Sequence, residues 1–142
     1  MRLSTKGRYA VMALVDLAGH SNGRPVALAD ISGRQEISLS YLEQLFARLR
    51  RKGLVESARG PGGGYRLART ASETSIADIV HAVDEPLRAT RCSVKGKGCM
   101  LKGERCLTHD LWEGLGDRIE DYLSSVSLAD VITGRLRAKA AA

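Results

Sequence analysis

The sequence predicts a mainly α-helical protein in which three short helices precede a small β-hairpin and a longer helix follows near the C-terminus. Apolar residues recur with helical spacing in several separate segments, and a Gly-rich turn lies between two short runs that suit strands. The 142 residues are 44% hydrophobic and 27% charged, a balance typical of folded globular chains. Only 4% are aromatic, so the core must consist largely of Leu, Ile, Val and Ala.

The first predicted helix spans residues 5–20, with Thr5 as its possible N-cap, and it ends at the turn 21–25. A short second helix covers 28–35. The third helix follows a cap at Ser38 or Ser40 and stops before Gly53, a residue that favours a helix C-terminus. Its buried face is predicted to consist of Leu42, Leu45, Phe46 and Leu49.

A hairpin is predicted next, with strands at 54–58 and 65–67 on either side of the Gly-rich turn 59–64. A short helix at 75–83 follows. Three helices and then a hairpin is the order of a winged helix-turn-helix DNA-binding domain, here assigned to residues 1–83. In that fold the third helix enters the major groove and the hairpin forms a wing.

If the apolar stripe of the third helix faces the core, Ser40, Glu43 and Gln44 point outward. Gln can pair with adenine and Glu can accept a hydrogen bond from cytosine. The glycines of the turn allow the backbone to approach DNA closely, and Arg59 can enter a narrow minor groove. The predicted DNA-contacting residues are Ser38, Ser40, Tyr41, Glu43, Gln44, Arg50, Arg59, Gly60 and Pro61.

Charge is distributed unevenly along the chain. Residues 1–70 contain 12 Lys and Arg against 5 Asp and Glu, a net charge of +7, whereas residues 71–142 contain 10 against 11, a net charge of −1. A basic N-terminal half favours a polyanionic partner such as nucleic acid, or a membrane surface. No run approaches ~18 apolar residues and no secretory signal is visible, so we expect a cytoplasmic protein outside the membrane.

The second half contains a set of metal-binding residue types: Cys92, Cys99, Cys106 and His109. Three cysteines within 15 residues do not suit a secreted disulfide framework, whereas three thiolates and an imidazole suit zinc or an iron–sulfur cluster. Each gap between cysteines holds six residues, so the short Cys-x2–4-Cys spacing of structural zinc sites is missing, which favours the cluster. We assign residues 84–107 to a cluster-binding loop. Its basic residues favour deprotonated thiols and are Lys95, Lys97, Lys102 and Arg105.

The last long helix is predicted at about 108–124, within a dimerisation region at 108–133, and residues 134–142 are predicted to be a disordered tail. The helix has an apolar stripe long enough to contact a second copy. A symmetric homodimer would place two recognition helices about 34–36 Å apart, one turn of DNA.

Several passages resemble the IscR family of bacterial winged-helix regulators of iron–sulfur cluster assembly. These are the opening Met-Arg-Leu-Ser-Thr-Lys-Gly-Arg-Tyr-Ala, the Ser-Leu-Ser-Tyr-Leu-Glu-Gln-Leu-Phe segment of the third helix, Arg-Gly-Pro-Gly-Gly-Gly-Tyr of the wing, and Cys-Leu-Thr-His-Asp-Leu-Trp. The resemblance implies a homodimer that binds a 2Fe–2S cluster through Cys92, Cys99, Cys106 and His109, receives it from the assembly machinery, and represses or activates genes. It also implies that Glu43 discriminates between two classes of DNA site.

The sequence leaves three alternatives to this function open. The family pattern has five residues in each cysteine gap, whereas this chain has six, so a 4Fe–4S cluster in an iron- or nitric-oxide-responsive repressor is one alternative. Structural zinc is the second. The third is a cluster carrier or redox protein that does not bind DNA. The sequence shows no nucleophile–base pair, cofactor fingerprint or Cys-x-x-Cys motif, so we do not expect an enzyme.

Overall fold

The computed structural model describes residues 4–83, 104 and 106–136. Its helices and strands follow the predicted order. They are α1 (Thr5–His20), α2 (Leu28–Gln35), α3 (Leu39–Arg51), β1 (Val55–Ala58), β2 (Gly64–Leu67), α4 (Ile76–Ala82), α5 (His109–Ser125) and α6 (Leu128–Ile132), with a 3-10 turn at Ala71–Glu73 between β2 and α4. No helix within the described ranges is both long enough and apolar enough to span a bilayer.

The ends of the helices confirm the predicted cap and the predicted C-terminal glycine of α3, and they correct the predicted cap of α1. Thr5 is already inside α1; the capping position belongs to Ser4, whose side chain makes no capping hydrogen bond. Ser38, and not Ser40, caps α3, because its hydroxyl accepts a hydrogen bond from the backbone N–H of Tyr41 at 3.3 Å. Gly53 follows α3 with a φ of 75°, the left-handed conformation that glycine adopts most easily.

The apolar stripe of α3 faces the core, as predicted. Its four members, Leu42, Leu45, Phe46 and Leu49, are at most 2% exposed. Burying each of them stabilises the fold by roughly 1.5–3 kcal/mol. α1, α2, α4 and the hairpin surround this stripe, so the orientation of α3, and with it the direction of its polar face, is fixed by core packing.

The hairpin is antiparallel and pairs Val55 with Leu67 and Ala58 with Gly64. A third chain segment extends it. Val26, just before α2, forms a bridge with Tyr65, and each backbone N–H donates to the other carbonyl at 2.8 Å. The bridge ties β2, close to the turn of the wing, to the segment that precedes α2.

The C-terminal segment belongs to the same core as the N-terminal helices, which residue patterns did not predict. Ser75 and Ser127 form a bridge; the N–H of Ile76 donates to Val126 and the N–H of Leu128 to Thr74, both at 2.9 Å. Leu128 is fully buried. Leu136 also packs against the core, inside the segment predicted as a tail, whereas residues 137–142 lie outside the described residues.

The turn between α2 and α3 contains a strained residue. Glu36 caps α2 with φ 56° and ψ 41°, a left-handed conformation that disfavours a side chain with a Cβ by roughly 1–2 kcal/mol. The turn around it is otherwise well held, since the hydroxyl of Ser32 donates to the carbonyl of Ile37 at 2.6 Å.

Glu36→Gly should therefore raise the free energy of unfolding by about 0.5–1 kcal/mol, because relief of the left-handed strain exceeds the entropy that glycine adds to the unfolded chain. Urea unfolding of the two proteins measures the difference. Glu36→Gln is the matched control: it removes the charge, keeps the strain and should leave stability within about 0.5 kcal/mol of the parent. An equal gain in both variants would trace the effect to charge instead.

Candidate functional site

The outer face of α3 carries the polar residues that the sequence predicted to read DNA. Ser40, Glu43, Gln44 and Ala47 are exposed, opposite the buried stripe. A rigid helix with small and polar side chains on its outer face has the dimensions needed to enter a major groove. Glu43 is the acidic member of this face, and its charge adds no attraction to phosphates.

Two predicted phosphate contacts flank this face. Tyr41 is half-buried, and its ring packs edge-on against Tyr9 with 6.0 Å between ring centroids. This packing limits the freedom of the Tyr41 ring. Arg50 is exposed in the last turn of α3, next to Arg51, whose guanidinium donates to the backbone carbonyl of Ala47.

The tip of the wing presents Arg59, Gly60 and Pro61 to solvent, as predicted. Gly60 has a φ of 94°, and its carbonyl accepts a hydrogen bond from the N–H of Gly63 at 2.9 Å, which closes the turn. The tip is thus a short, ordered loop with one cationic side chain, supported by the packing of Tyr65 against Phe46 at 4.9 Å between ring centroids.

A buried carboxylate supports the helix-turn-helix from below. The side chain of Asp16 on α1 is fully buried; it accepts hydrogen bonds from Arg34 at 2.8, 3.0 and 3.2 Å and from Gln35 at 2.8 Å. Burial by itself raises the pKa of Asp16, but the bonds from Arg34 and Gln35 outweigh it, so the pKa lies below its usual value.

Sequence reasoning missed this network. The available signal was an acidic residue, Asp16, inside the apolar run Val15–Leu17 of an amphipathic helix. A charge on a buried face requires a partner, and the partner comes from the last turn of α2, 18 residues away. The pair therefore fixes α2 against α1 immediately before the turn that leads to the recognition helix.

The start of α5 holds the described half of the predicted metal ligands. Cys106 is half-buried, and its Sγ lies 3.5 Å from the hydroxyl of Thr108. His109, three residues after Cys106, is 5% exposed, and its backbone N–H donates to the carbonyl of Cys106 at 3.0 Å. Cys92 and Cys99 lie outside the described residues, as does most of the predicted loop 84–107.

The two ring nitrogens of His109 have different surroundings. Nε2 lies 3.5 Å from a carboxylate oxygen of Glu113, whereas Nδ1 is buried and finds no hydrogen-bond partner among the described residues. A buried polar nitrogen without a partner disfavours folding by about 1–3 kcal/mol, and such an atom calls for an explanation such as a ligand. An imidazole with an unpartnered nitrogen, three residues after a cysteine, supplies the donor types that a soft metal or an iron–sulfur cluster takes.

The described residues also contain a second arrangement of potential ligands. His109, Asp110 and Glu113 each place one ligand atom within 4.8 Å of the others, and Cys106 is not part of this group. Asp110 and Glu113 are exposed acidic residues on a helix surface, which commonly bind no metal. The unpartnered Nδ1 of His109 is the feature that distinguishes this site from an ordinary charged helix end.

α5 is tied to the DNA-binding core on its other side. Nε2 of His81 on α4 lies 2.7 Å from a carboxylate oxygen of Glu120 on α5. Ile119 and Leu123 of α5 pack against the core, whereas Leu111, Trp112 and Tyr122 are exposed. α5, which begins at the candidate ligand His109, thus packs on α4, and α4 in turn contacts α3.

Comparison with known proteins places this architecture in a family. The Rrf2 family, described as iron-dependent transcriptional regulators, matches residues 3–134. The HTH-type transcriptional regulator IscR of Photorhabdus laumondii is 58% identical over 135 residues, which cover 95% of this chain and 81% of that protein. IscR of Escherichia coli O1:K1 / APEC is 54% identical, with 95% and 82% covered.

Solved structures agree with the fold. T. potens IscR superposes with a TM-score of 0.77 at 37% identity, covering 95% of this chain and 88% of that one. CymR, the global cysteine regulator of B. subtilis, gives 0.78 at 30% identity, covering 94% and 97%. The predicted winged helix-turn-helix and the resemblance read from the third helix and the wing are confirmed, as is the absence of an enzymatic role. The chain belongs to the Rrf2 family and is an IscR-type, DNA-binding transcriptional regulator.

Proposed function

We propose that this regulator senses iron–sulfur cluster status by binding a 2Fe–2S cluster through Cys92, Cys99, Cys106 and His109. The observation that carries the proposal is the buried, unpartnered Nδ1 of His109, three residues after Cys106 at the start of α5. When bound, the cluster would supply a redox-active and oxygen-sensitive group whose loss can act as a signal. The output would be control of cluster-assembly genes, as the resemblance to the IscR family implies, and the match to a family of iron-dependent transcriptional regulators supports an iron-linked signal.

On DNA, α3 enters the major groove and the wing tip follows the adjacent minor groove or phosphates. The exposed positions of these residues support the assignment, with Tyr41 held against Tyr9 as a phosphate contact. The proposed contact set is Ser38, Ser40, Tyr41, Glu43, Gln44, Arg50, Arg59, Gly60 and Pro61.

A homodimer formed through α5 completes the proposal. Leu111, Trp112 and Tyr122 of this helix are 62%, 38% and 58% exposed, so three large hydrophobic side chains of one helix are accessible to a partner. A second copy of α5 would cover it and set the spacing of the two recognition helices.

The signal is proposed to pass through α5, because the proposed ligand His109 is its first residue and Glu120, further along the helix, contacts His81 on α4. A shift of α5 would change the spacing between the two recognition helices in the dimer. Apo and cluster-loaded protein must then differ in affinity for at least one operator, since without such a difference loading cannot regulate.

The decisive experiment is purification without oxygen from iron-replete cells, followed by absorbance spectroscopy and analysis of iron, sulfide and zinc. We expect two iron and two sulfide per subunit, and loss of the visible chromophore in Cys106→Ala with the dimer intact. Four iron per subunit would favour the 4Fe–4S alternative, and zinc without sulfide a structural metal site. Loaded protein that does not retard its own promoter DNA would favour a cluster carrier.

If Arg59 at the tip of the wing contacts DNA, the affinity for DNA should depend on salt partly through this residue. Arg59→Ala should weaken DNA binding and reduce the slope of log affinity against log salt concentration by about 1, because one cation next to the DNA backbone is lost. Fluorescence anisotropy over a salt series measures both. Arg69→Ala is the control: its guanidinium lies beyond the hairpin, 3.6 Å from a carboxylate oxygen of Asp78. An unchanged slope in Arg59→Ala would remove the wing tip from the contact set.

A further inference from the structure

We propose that Glu113 positions His109 for metal binding, by accepting a hydrogen bond from Nε2–H and so presenting Nδ1 as the ligand atom. Glu113 is a positioning residue in this proposal, acting through His109 and not on the cofactor itself. The inference rests on the proposed function, since it assigns a role to a carboxylate next to one of the proposed ligands.

The geometry of α5 brings the two side chains together. They are four residues apart on one helix, with Nε2 of His109 3.5 Å from Oε2 of Glu113. The histidine side chain is 6% exposed and that of Glu113 is 42% exposed. The imidazole therefore has little freedom to turn away from the carboxylate, whereas the carboxylate can move the few tenths of an ångström that a hydrogen bond requires.

The difference between the ring nitrogens selects one tautomer. A neutral imidazole has one N–H, and an ionised carboxylate only accepts hydrogen bonds. The proton therefore belongs on Nε2, facing Glu113, and Nδ1 keeps its lone pair. Nδ1 is the buried atom for which the described residues offer no hydrogen bond. The nitrogen free to bind a metal and the nitrogen without a protein partner are thus the same atom.

Such an arrangement is a common outer-shell device. A carboxylate that accepts from the second nitrogen of a ligating histidine fixes ring orientation and increases the electron donation of the other nitrogen. Asp110, the other carboxylate near His109, is adjacent in sequence and exposed; one of its oxygens lies within 4.8 Å of a ring nitrogen of His109, further away than the 3.5 Å ion pair between His109 and Glu113 requires. Asp110 therefore provides a matched control for charge alone.

The experiment uses the full chain and three variants: Glu113→Leu removes the acceptor, Glu113→Gln keeps an acceptor without charge, and Asp110→Asn removes a neighbouring charge. First, nitrogen-15 NMR of the histidine ring in metal-free protein at about pH 8, where an ordinary imidazole is neutral, identifies the tautomer. We expect the Nε2–H form in the parent, in Glu113→Gln and in Asp110→Asn, and a mixture in Glu113→Leu.

Second, the cluster is reconstituted without oxygen, and its release to a chelator and its reduction potential are measured. We expect release from Glu113→Leu to be about 10–100-fold faster than from the parent, with Glu113→Gln intermediate and Asp110→Asn close to the parent. A shifted potential in Glu113→Leu that Glu113→Gln partly restores would support the positioning role, because a purely structural role would not produce that order.

The outcomes separate this inference from the proposed function. Parent protein that takes up no iron and sulfide overturns the proposed function, and with it the ligand role assigned to His109. Normal uptake with equal release rates in Glu113→Leu and Asp110→Asn overturns the role of Glu113 alone. An unchanged tautomer in Glu113→Leu also overturns it, whichever metal the site holds.

Discussion

Replacing Gly64 with alanine is expected to reduce the free energy of unfolding by about 3 kcal/mol, although only one methyl group is added. A Cβ built at this position overlaps the backbone carbonyl of Val26 and lies 2.8 Å from the backbone nitrogen of Ala27. Overpacking commonly destabilises by about 1–3 kcal/mol, and the upper end applies where the neighbours cannot move.

The neighbours of Gly64 are backbone atoms that are already held in place. Val26 exchanges two hydrogen bonds of 2.8 Å with Tyr65, the residue after Gly64. Room for a methyl group would require this bridge to open, which would release the wing from the segment that precedes α2. Thermal and urea unfolding should therefore show a large loss of stability, and residual folded protein should bind DNA more weakly through a displaced wing.

Gly62→Ala provides the control, because it makes the same change two residues earlier, in the turn before β2, with open space around the new methyl group. Gly62 has a φ of 74°, so alanine there should reduce stability by about 1 kcal/mol through backbone strain alone. Equal losses in the two variants would show that the close approach of Val26 does not determine the effect.

The parts of the fold that the sequence predicted are those with strong local signals. The stripe Leu42, Leu45, Phe46 and Leu49 specified both the helix and its buried face, and Gly53 marked its end. The Gly-rich turn specified the hairpin to within one residue at each strand. Each of these features depends on residues close together in the chain, where spacing and conformational preference decide the outcome.

The parts that were missed depend on long-range contacts. Val26 pairs with Tyr65 as an isolated bridge, which has no strand pattern of its own. Leu128 joins the core of the N-terminal domain next to a bridge between Ser75 and Ser127, although the sequence predicts that its short helix belongs to the separate dimerisation region. Neither pairing can be recognised from a sequence pattern, because the paired residues are far apart in the chain.

The candidate site likewise has some features that the residue types predicted and others that depend on long-range packing. Residue types alone indicated Cys106 and His109, because thiolates and imidazoles are recognisable ligands. The surroundings of His109 could not be predicted from the sequence. Its burial, the lack of a hydrogen-bond partner for Nδ1 among the described residues and the approach of Glu113 all depend on how the first turn of α5 packs. The buried pair of Asp16 and Arg34 was missed for the same reason, since its members are 18 residues apart.

Because Asp16 and Arg34 form a buried pair, Asp16→Ala should lower the free energy of unfolding at pH 7 by about 3 kcal/mol. The substitution removes four hydrogen bonds to a fully buried carboxylate, of which three come from a guanidinium. Bonds to charged groups contribute roughly 1.5–3 kcal/mol each, but Arg34 is partly exposed and can recover water when its partner is lost, which limits the total. Asp30→Ala, which removes an exposed carboxylate from α2, should change stability by no more than about 0.5 kcal/mol.

The stabilisation that Asp16 provides depends on pH. Because the folded pKa of Asp16 lies below its unfolded value of about 3.9, its contribution is complete well above that value and is lost as the pH falls through the folded pKa. The stability gap between the parent and Asp16→Ala should therefore be constant from about pH 7 to pH 5 and shrink in stronger acid, as measured by urea unfolding at each pH. A gap that widened in acid would mean that the buried carboxyl is protonated in the folded state. It would also mean that α2, and the recognition helix that follows it, are held by packing without an ion pair.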